Sequence, residues 1–254
     1  MRLDSLLFEK CLFPSRTKAA EFISSGKVLY RGKAVKPSIN VENLDFVEIL
    51  TEEESFVSNG GYKLKKALDE FGFDATGMVF ADVGASNGGF TDCLIKRGAK
   101  KVFAIDVGES QLDKSLLTEK VVVLDNTNAR FMTSETLGEK VDGVTCDVSF
   151  ISLTYVLQGI KNILKDGGVA FLLIKPQFEC GKEFLGNSGI VKSVLARKNA
   201  VKKVYNALIE LELYPLNLTV APIKEKKNIE YVIFVKNNDN SNLISINDIL
   251  NKSI

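Results

Sequence analysis

The chain contains no histidine among its 254 residues. That absence excludes Ser-His and Cys-His nucleophilic schemes, imidazole general bases and histidine-ligated metals, so proton handling falls to lysine, carboxylate, tyrosine or cysteine. Cysteine is scarce and scattered. Cys11, Cys93, Cys146 and Cys180 form no C-x-x-C pair, a pattern of reduced thiols acting as small apolar fillers rather than a disulfide framework or a zinc site; no metal is expected. Long apolar runs are missing too. No stretch approaches the ~18 apolar residues of a membrane span, and the opening MRLDSLLFEK breaks up its apolar residues with charge where a signal peptide would keep a continuous core. A cytoplasmic protein with no membrane span is therefore expected. No large charge of either sign is present: 33 basic residues stand against 32 acidic ones, which leaves nucleic-acid affinity to local patches. Residues 1–40 are such a patch, with eight Lys/Arg against three Asp/Glu.

What is present is a core-forming composition, 45% hydrophobic, in a length that holds one α/β domain and a small appendage. The most informative stretch is residues 78–106, MVFADVGASNGGFTDCLIKRGAKKVFAID. Residues 78–83 form an apolar run between Gly77 and Gly84, as in a strand buried on both faces of a parallel sheet. Gly84, Gly88 and Gly89 remove Cβ atoms where the backbone must turn and a ligand approach, and residues 90–98 then read as a helix closed by Gly98. A strand over 101–105 delivers Asp106 to the carboxyl edge of the sheet, where a carboxylate can take both hydroxyls of a ribose. The spacing discriminates between cofactors. A dinucleotide fingerprint wants glycine where Ser86 stands, and no lysine follows the glycines as a P-loop requires. The D-x-G-x-x-x-G-G turn with an acid after the next strand resembles S-adenosylmethionine-dependent methyltransferases.

Organisation along the chain predicts a separate head. Leu3, Leu6 and Leu7 share a helix face, Pro14 breaks it, and residues 15–25 read as a second helix stopped by Gly26. Two short strands around Arg31-Gly32 and a strand over 45–50 follow. The strings R-L-D-x-L-L, S-R-T-x-A-x-x-x-I-x-x-G-x-V and G-K-x-V-K-P-S resemble the S4 RNA-binding domain. That resemblance implies phosphate contacts from Arg2, Arg16, Lys18, Lys27, Arg31 and Lys33, which position RNA without reading its sequence. The competing reading of the same residues is a solvated helix face. The expected division is residues 1–50 for this domain, 51–59 for a linker, 60–236 for a methyltransferase domain and 237–254 for a mobile tail with a short helix near 244–250.

Beyond Asp106, strands over 121–124, 141–146 and 169–175 alternate with helices, including one near 153–164. A basic helix over about 192–213 leads to strands at 216–220 and 229–235. The pattern predicts a Rossmann-like seven-stranded α/β sheet of the class I methyltransferase kind, with an antiparallel final strand, beside the small α+β head. Asp147 and Lys175 end neighbouring strands at the ligand-binding edge, and Pro176 terminates the second. Lys63 follows the flexible-looking Gly60-Gly61 pair ahead of a helix over 62–71, and Glu230 lies near the start of the last strand.

The contexts GGYKL, CDVSFISL, LIKPQFE and NIEYVIFV, with DVGASNGGFTDCL and AIDVG, resemble the haemolysin A (TlyA-type) family, in which an S4 domain is joined to an FtsJ-like ribose methyltransferase. The resemblance implies a Lys63–Asp147–Lys175–Glu230 tetrad that methylates a cytidine ribose 2′-hydroxyl of ribosomal RNA, with S-adenosyl-L-methionine as cofactor and ribosomal RNA or subunits as partner. In that scheme Lys175 is the general base, its pKa lowered by desolvation and by Lys63, while Asp147 and Glu230 orient the lysines and the ribose and push that pKa the other way. Gly84, Ser86, Gly88 and Phe90 are expected on the methionine side, Asp106 on the ribose, Asp125 or Asn126 on the adenine side and Asp147 near the methyl group. Asp82 orders the turn or reaches the methionine amine through water. Two departures from the family pattern stand out: Asn59 in place of an arginine, and Lys227 in place of a glycine before N-x-E. The alternatives are a non-catalytic RNA- or ribosome-binding protein on a methyltransferase scaffold, and a direct haemolysin.

Overall fold

The computed structural model describes residues 1–13, 15–49, 55–109, 111–186, 188–222 and 227–253. The expected break at Pro14 and residues 51–54 of the expected linker lie outside them. The chain divides into two units, Met1–Ser55 and Phe56–Ile254.

In the first unit the 3, 6, 7 spacing does what a helix period dictates: Leu3, Leu6 and Leu7 of α1 (Leu3–Glu9) are all buried, against Ala19 and Ile23 of α2 (Arg16–Ser24). The Ser15 hydroxyl accepts the Lys18 N–H at 3.1 Å and caps α2. Strands β1 (Val28–Tyr30), β2 (Lys33–Ala34) and β3 (Val47–Ile49) form a sheet of order β2-β1-β3. Tyr30 pairs with Lys33, so the hairpin turn is Arg31-Gly32, with φ of 53° and 70°, the mirror-image geometry that matches strand twist.

The second unit is built on β4 (Val79–Val83), β5 (Lys101–Ile105), β6 (Val121–Leu124), β7 (Val141–Cys146), β8 (Leu164–Ile174), β9 (Leu213–Val220) and β10 (Tyr231–Asn237). Among the described residues these make one seven-stranded sheet, order β6-β5-β4-β7-β8-β10-β9, in which β10 runs antiparallel to both neighbours and the other pairings are parallel. Interleaved are α3 (Asn59–Phe71), α4 (Gly89–Lys96), α5 (Ser134–Leu137), α6 (Leu157–Ile163), α7 (Pro176–Glu179), α8 (Val194–Glu210) and α9 (Ile246–Lys252). The strict alternation of β4 sends Phe80 to a core shared with Leu64 and Leu68 of α3 and Leu94 of α4. It sends Val79, Ala81 and Val83 to the other face, against Ile160 of α6, Val204 of α8 and Ile249 of α9. The predicted mixed α/β architecture is the one observed.

Three local expectations differ. Gly60 and Gly61 are not a flexible pair but the first turn of α3, capped by Ser58, and a Cβ at Gly61 would stand 2.3 Å from the Phe56 ring. The linker expected over 51–59 meets ordered chain at its end: the Val57 N–H donates to the Asp92 carboxylate at 2.9 Å. The tail after 237 carries the short helix expected near 244–250, as α9, but it is docked: Ile249 is fully buried, and the Tyr231 hydroxyl donates to the Ser253 carbonyl at 2.9 Å. Three apolar residues, Ile246, Ile249 and Leu250, mark one face of the helix, and the core of the sheet face supplies their partner.

Candidate active site

The order of the sheet reverses between β4 and β7, and the loops leaving these strands diverge to open a crevice at their carboxyl ends. Gly84 leaves β4 with φ +79°, where a Cβ would lie 3.0 Å from the Asp147 carbonyl; the position demands glycine for both reasons. One cavity of about 600 Å³ is walled by Ile105, Val148, Ile151 and Val156, with Asp106 and Asn128 among its polar lining. A smaller one of about 280 Å³ is lined by Ser58, Asn59, Phe90 and Lys175; both touch Gly84, Ser86, Asp147 and Ser149. An apolar cleft with one carboxylate at its edge suits a nucleoside and its polar extension.

Of the expected cofactor residues, Gly84, Ser86, Phe90, Asp106 and Asp147 line this space. The Asp106 carboxylate accepts the Ser86 N–H at 2.9 Å and the Gly108 N–H at 3.0 Å, which fixes it at the rim. Others do not line it. Gly88, at φ +88°, is a packing glycine: a Cβ would meet Leu116 at 2.3 Å and Leu112 at 2.7 Å. Asp82 is fully buried beneath the turn, accepting the Thr91 hydroxyl at 2.7 Å and that of Thr145 at 2.9 Å. Burial pushes its pKa up to about 6 against those hydroxyl bonds. Asp125 and Asn126 stand apart from the lining, where Thr127, Asn128, Ala129 and Arg130 take the wall.

The four charged residues come together at the same edge. Lys175, 8% exposed at the end of β8, has Nζ 2.6 Å from Asp147 Oδ1 and donates to the Ser149 hydroxyl at 2.6 Å. Asp147 Oδ2 lies 3.6 Å from Lys63 Nζ, which donates to Glu230 Oε2 at 2.7 Å. Asp147 thus stands between the two lysines. Burial draws the Lys63 pKa down, but Asp147 and Glu230 outweigh it and the ammonium ends above its ordinary value. Beyond Lys63 and Glu230 a groove of about 1190 Å³ opens, with Tyr62, Gln177 and Lys227 on its walls. Cys146, adjacent to Asp147, is no nucleophile: burial drives its thiol pKa up to about 12.

In the first unit the basic residues are exposed but not independent. Asp4, with its carboxylate almost wholly buried, takes Arg2 Nη2 at 2.8 Å and Arg16 Nε at 3.2 Å. Lys18 pairs with Glu21 at 3.0 Å, Lys27 lies over Phe22, and Arg31 lies over both Tyr30 and Phe46, while Lys33 is exposed on β2.

Residues 56–238 match the FtsJ-like methyltransferase family, and residues 1–45 match the S4 domain. The chain belongs to the FtsJ-like methyltransferase family. It is 39% identical over 239 residues to a Mycobacterium tuberculosis protein named 16S/23S rRNA (cytidine-2′-O)-methyltransferase TlyA, covering 92% of this chain and 89% of the relative. It is 36% identical to a Brachyspira hyodysenteriae protein named Hemolysin A, covering 91% of this chain and 98% of the relative. A solved hemolysin-type structure from Streptococcus thermophilus superposes with a TM-score of 0.73 at 32% identity, covering 100% of this chain and 95% of the other.

Two residues of this site, Ser149 and Gln177, are not among the residues expected from sequence. Ser149 holds Lys175, and Gln177 Nε2 approaches Glu230 Oε1 at 3.4 Å. Each sits two positions after a residue already singled out, in CDVSF and KPQFE, and that proximity was the available signal. Of the two departures from the family pattern, Asn59 is the first residue of α3 and lines both the smaller cavity and the groove, and Lys227 lines the groove.

Proposed function

We propose that this chain methylates the 2′-hydroxyl of a cytidine ribose in ribosomal RNA with S-adenosyl-L-methionine, and that Lys175 is the general base. The observation that carries the reading is the continuous array Lys175–Asp147–Lys63–Glu230 between a nucleoside-sized cleft and an open groove. The activity named for the Mycobacterium tuberculosis relative supports the choice of acceptor. S-adenosyl-L-methionine supplies a methyl group on an already activated sulfonium, so the chain has to position and deprotonate a hydroxyl. Asp106 would take the ribose hydroxyls of the cofactor, the Gly84–Ser86 turn its methionine part and Asn128 its base.

The two lysines suit different tasks. Lys63, held by two carboxylates and with its pKa raised, keeps its charge and favours an oxyanion at the acceptor. Lys175, nearly closed to solvent and aligned by Asp147 and Ser149, is placed to take the hydroxyl proton. Arg2, Arg16, Lys18, Lys27, Arg31 and Lys33 hold RNA phosphates. Incubating the chain and methyl-labelled S-adenosylmethionine with separated ribosomal subunits tests the reading. Label is expected in RNA, at a ribose that resists alkaline cleavage; RNA binding without label would favour a non-catalytic binding protein instead.

A further inference from the structure

The array just described has a second fastening that the chemistry does not use. Glu179 ends α7, four residues after Lys175, and its side chain is 1% exposed although it carries a carboxylate. Oε1 accepts the backbone N–H of Leu153 at 2.6 Å, and Oε2 accepts the Ser152 hydroxyl at 2.5 Å. Lys203 of α8 caps the cluster, with Nζ 3.0 Å from Oε2 and 3.2 Å from the Ser152 hydroxyl. A carboxylate removed from water is tolerated only when its lone pairs are taken, and here they are. The partners are informative. Ser152 and Leu153 terminate the segment that begins at Asp147 and includes Ser149, while Glu179 terminates the segment that begins at Lys175. The two segments are joined twice, at one end by the contacts of Lys175 with Asp147 and Ser149, and at the other by Glu179.

We propose that Glu179 is a positioning residue for Lys175, acting through Ser152 and the Leu153 amide to hold the Asp147–Ser149 loop in register with the base. The inference rests on the function proposed above. The same loop walls the cofactor cleft at Val148 and Ile151, while Asp106 comes from a different strand, so a displaced loop end loosens the cofactor in part and misaligns the base more.

Glu179→Gln keeps the shape and removes the charge. In label transfer to ribosomal subunits, its kcat is expected to fall about 10- to 100-fold, as for a misplaced reacting group. KM for subunits should stay within about threefold of the parent, and the S-adenosylmethionine dissociation constant should rise by a clearly smaller factor than kcat falls. Ser152→Ala, which removes one arm, should lose about three- to tenfold in kcat with the same split. An unchanged kcat in Glu179→Gln overturns the inference, and so does a parallel loss of kcat and cofactor affinity, the result expected of a mere strut. If Glu179→Gln does not fold, Ser152→Ala decides: parental kcat overturns the role. No label with the parent chain would overturn the function reading and this role with it, whereas an active parent with a fully active Glu179→Gln removes this role alone.

Discussion

Each unit of the chain contains two cations sharing one carboxylate, and the pairs differ in every property that matters for chemistry. In the first unit Asp4 holds Arg2 and Arg16, whose side chains are 46% and 52% exposed. In the second, Asp147 holds Lys63 and Lys175, 22% and 9% exposed. A guanidinium cannot lose its proton, offers a rigid fork of donors and keeps unused N–H groups turned to solvent, which fits a standing contact with phosphate. An ammonium in a nearly closed cleft can exchange a proton with an aligned hydroxyl. In the function proposed here, the same motif of one acid between two bases would serve anchoring where it is exposed and arginine-built, and proton transfer where it is covered and lysine-built.

The sharpest way to break this comparison is to remove the covered cation. Lys175→Ala should lower methyl transfer about a thousandfold, the range of a lost general base, while S-adenosylmethionine affinity by calorimetry changes less than about threefold. Near-parental turnover would leave Lys175 as a structural ion pair. Arg16→Ala should show the opposite profile. Affinity for ribosomal RNA is expected to fall about tenfold, with the slope of log affinity against log salt reduced by about 1, while kcat at saturating RNA is retained. A lowered kcat without a change in salt slope would remove the anchoring role.

How much of this was legible before folding depended on whether the signal was local. Strands buried on both faces are near-continuous apolar runs, so β4 and β5, with Asp106 just after β5, could be read from neighbours in sequence. The pairing of Lys63 with Glu230, 167 positions apart, came only through family resemblance, because no spacing rule reaches that far. What escaped was decided by contacts across the fold. Gly88 looks like a ligand-approach glycine until Leu112 and Leu116 close over it. For Asp82 the sequence left two roles open, ordering the turn or reaching the methionine amine, and the Thr91 and Thr145 hydroxyls on its two oxygens favour the first. Glu179 closes the string LIKPQFE, but nothing local assigns it a role, since its partners Ser152 and Leu153 are more than twenty residues away.

The smallest expected effect sharpens the comparison from the acid's side. The guanidiniums of Arg2 and Arg16, with the Ser5 N–H, hold the Asp4 carboxyl down to about 2, and the Arg2 bond is the largest cause. A carboxylate whose pKa is depressed on folding stabilises the native state above its unfolded value, near 4, and loses that contribution as pH falls through the folded value. Because both arginines are half exposed and screened, the contribution is about 1 kcal/mol rather than the full shift. Asp4→Asn should therefore lower the protection of α1 and α2 amides by about 1 kcal/mol at pH 7 in hydrogen exchange, with the difference from the parent shrinking between about pH 4 and 2. A difference that persists unchanged at low pH would mean that Asp4 acts through packing and its neutral hydrogen bonds, and that the arginines are not held by charge.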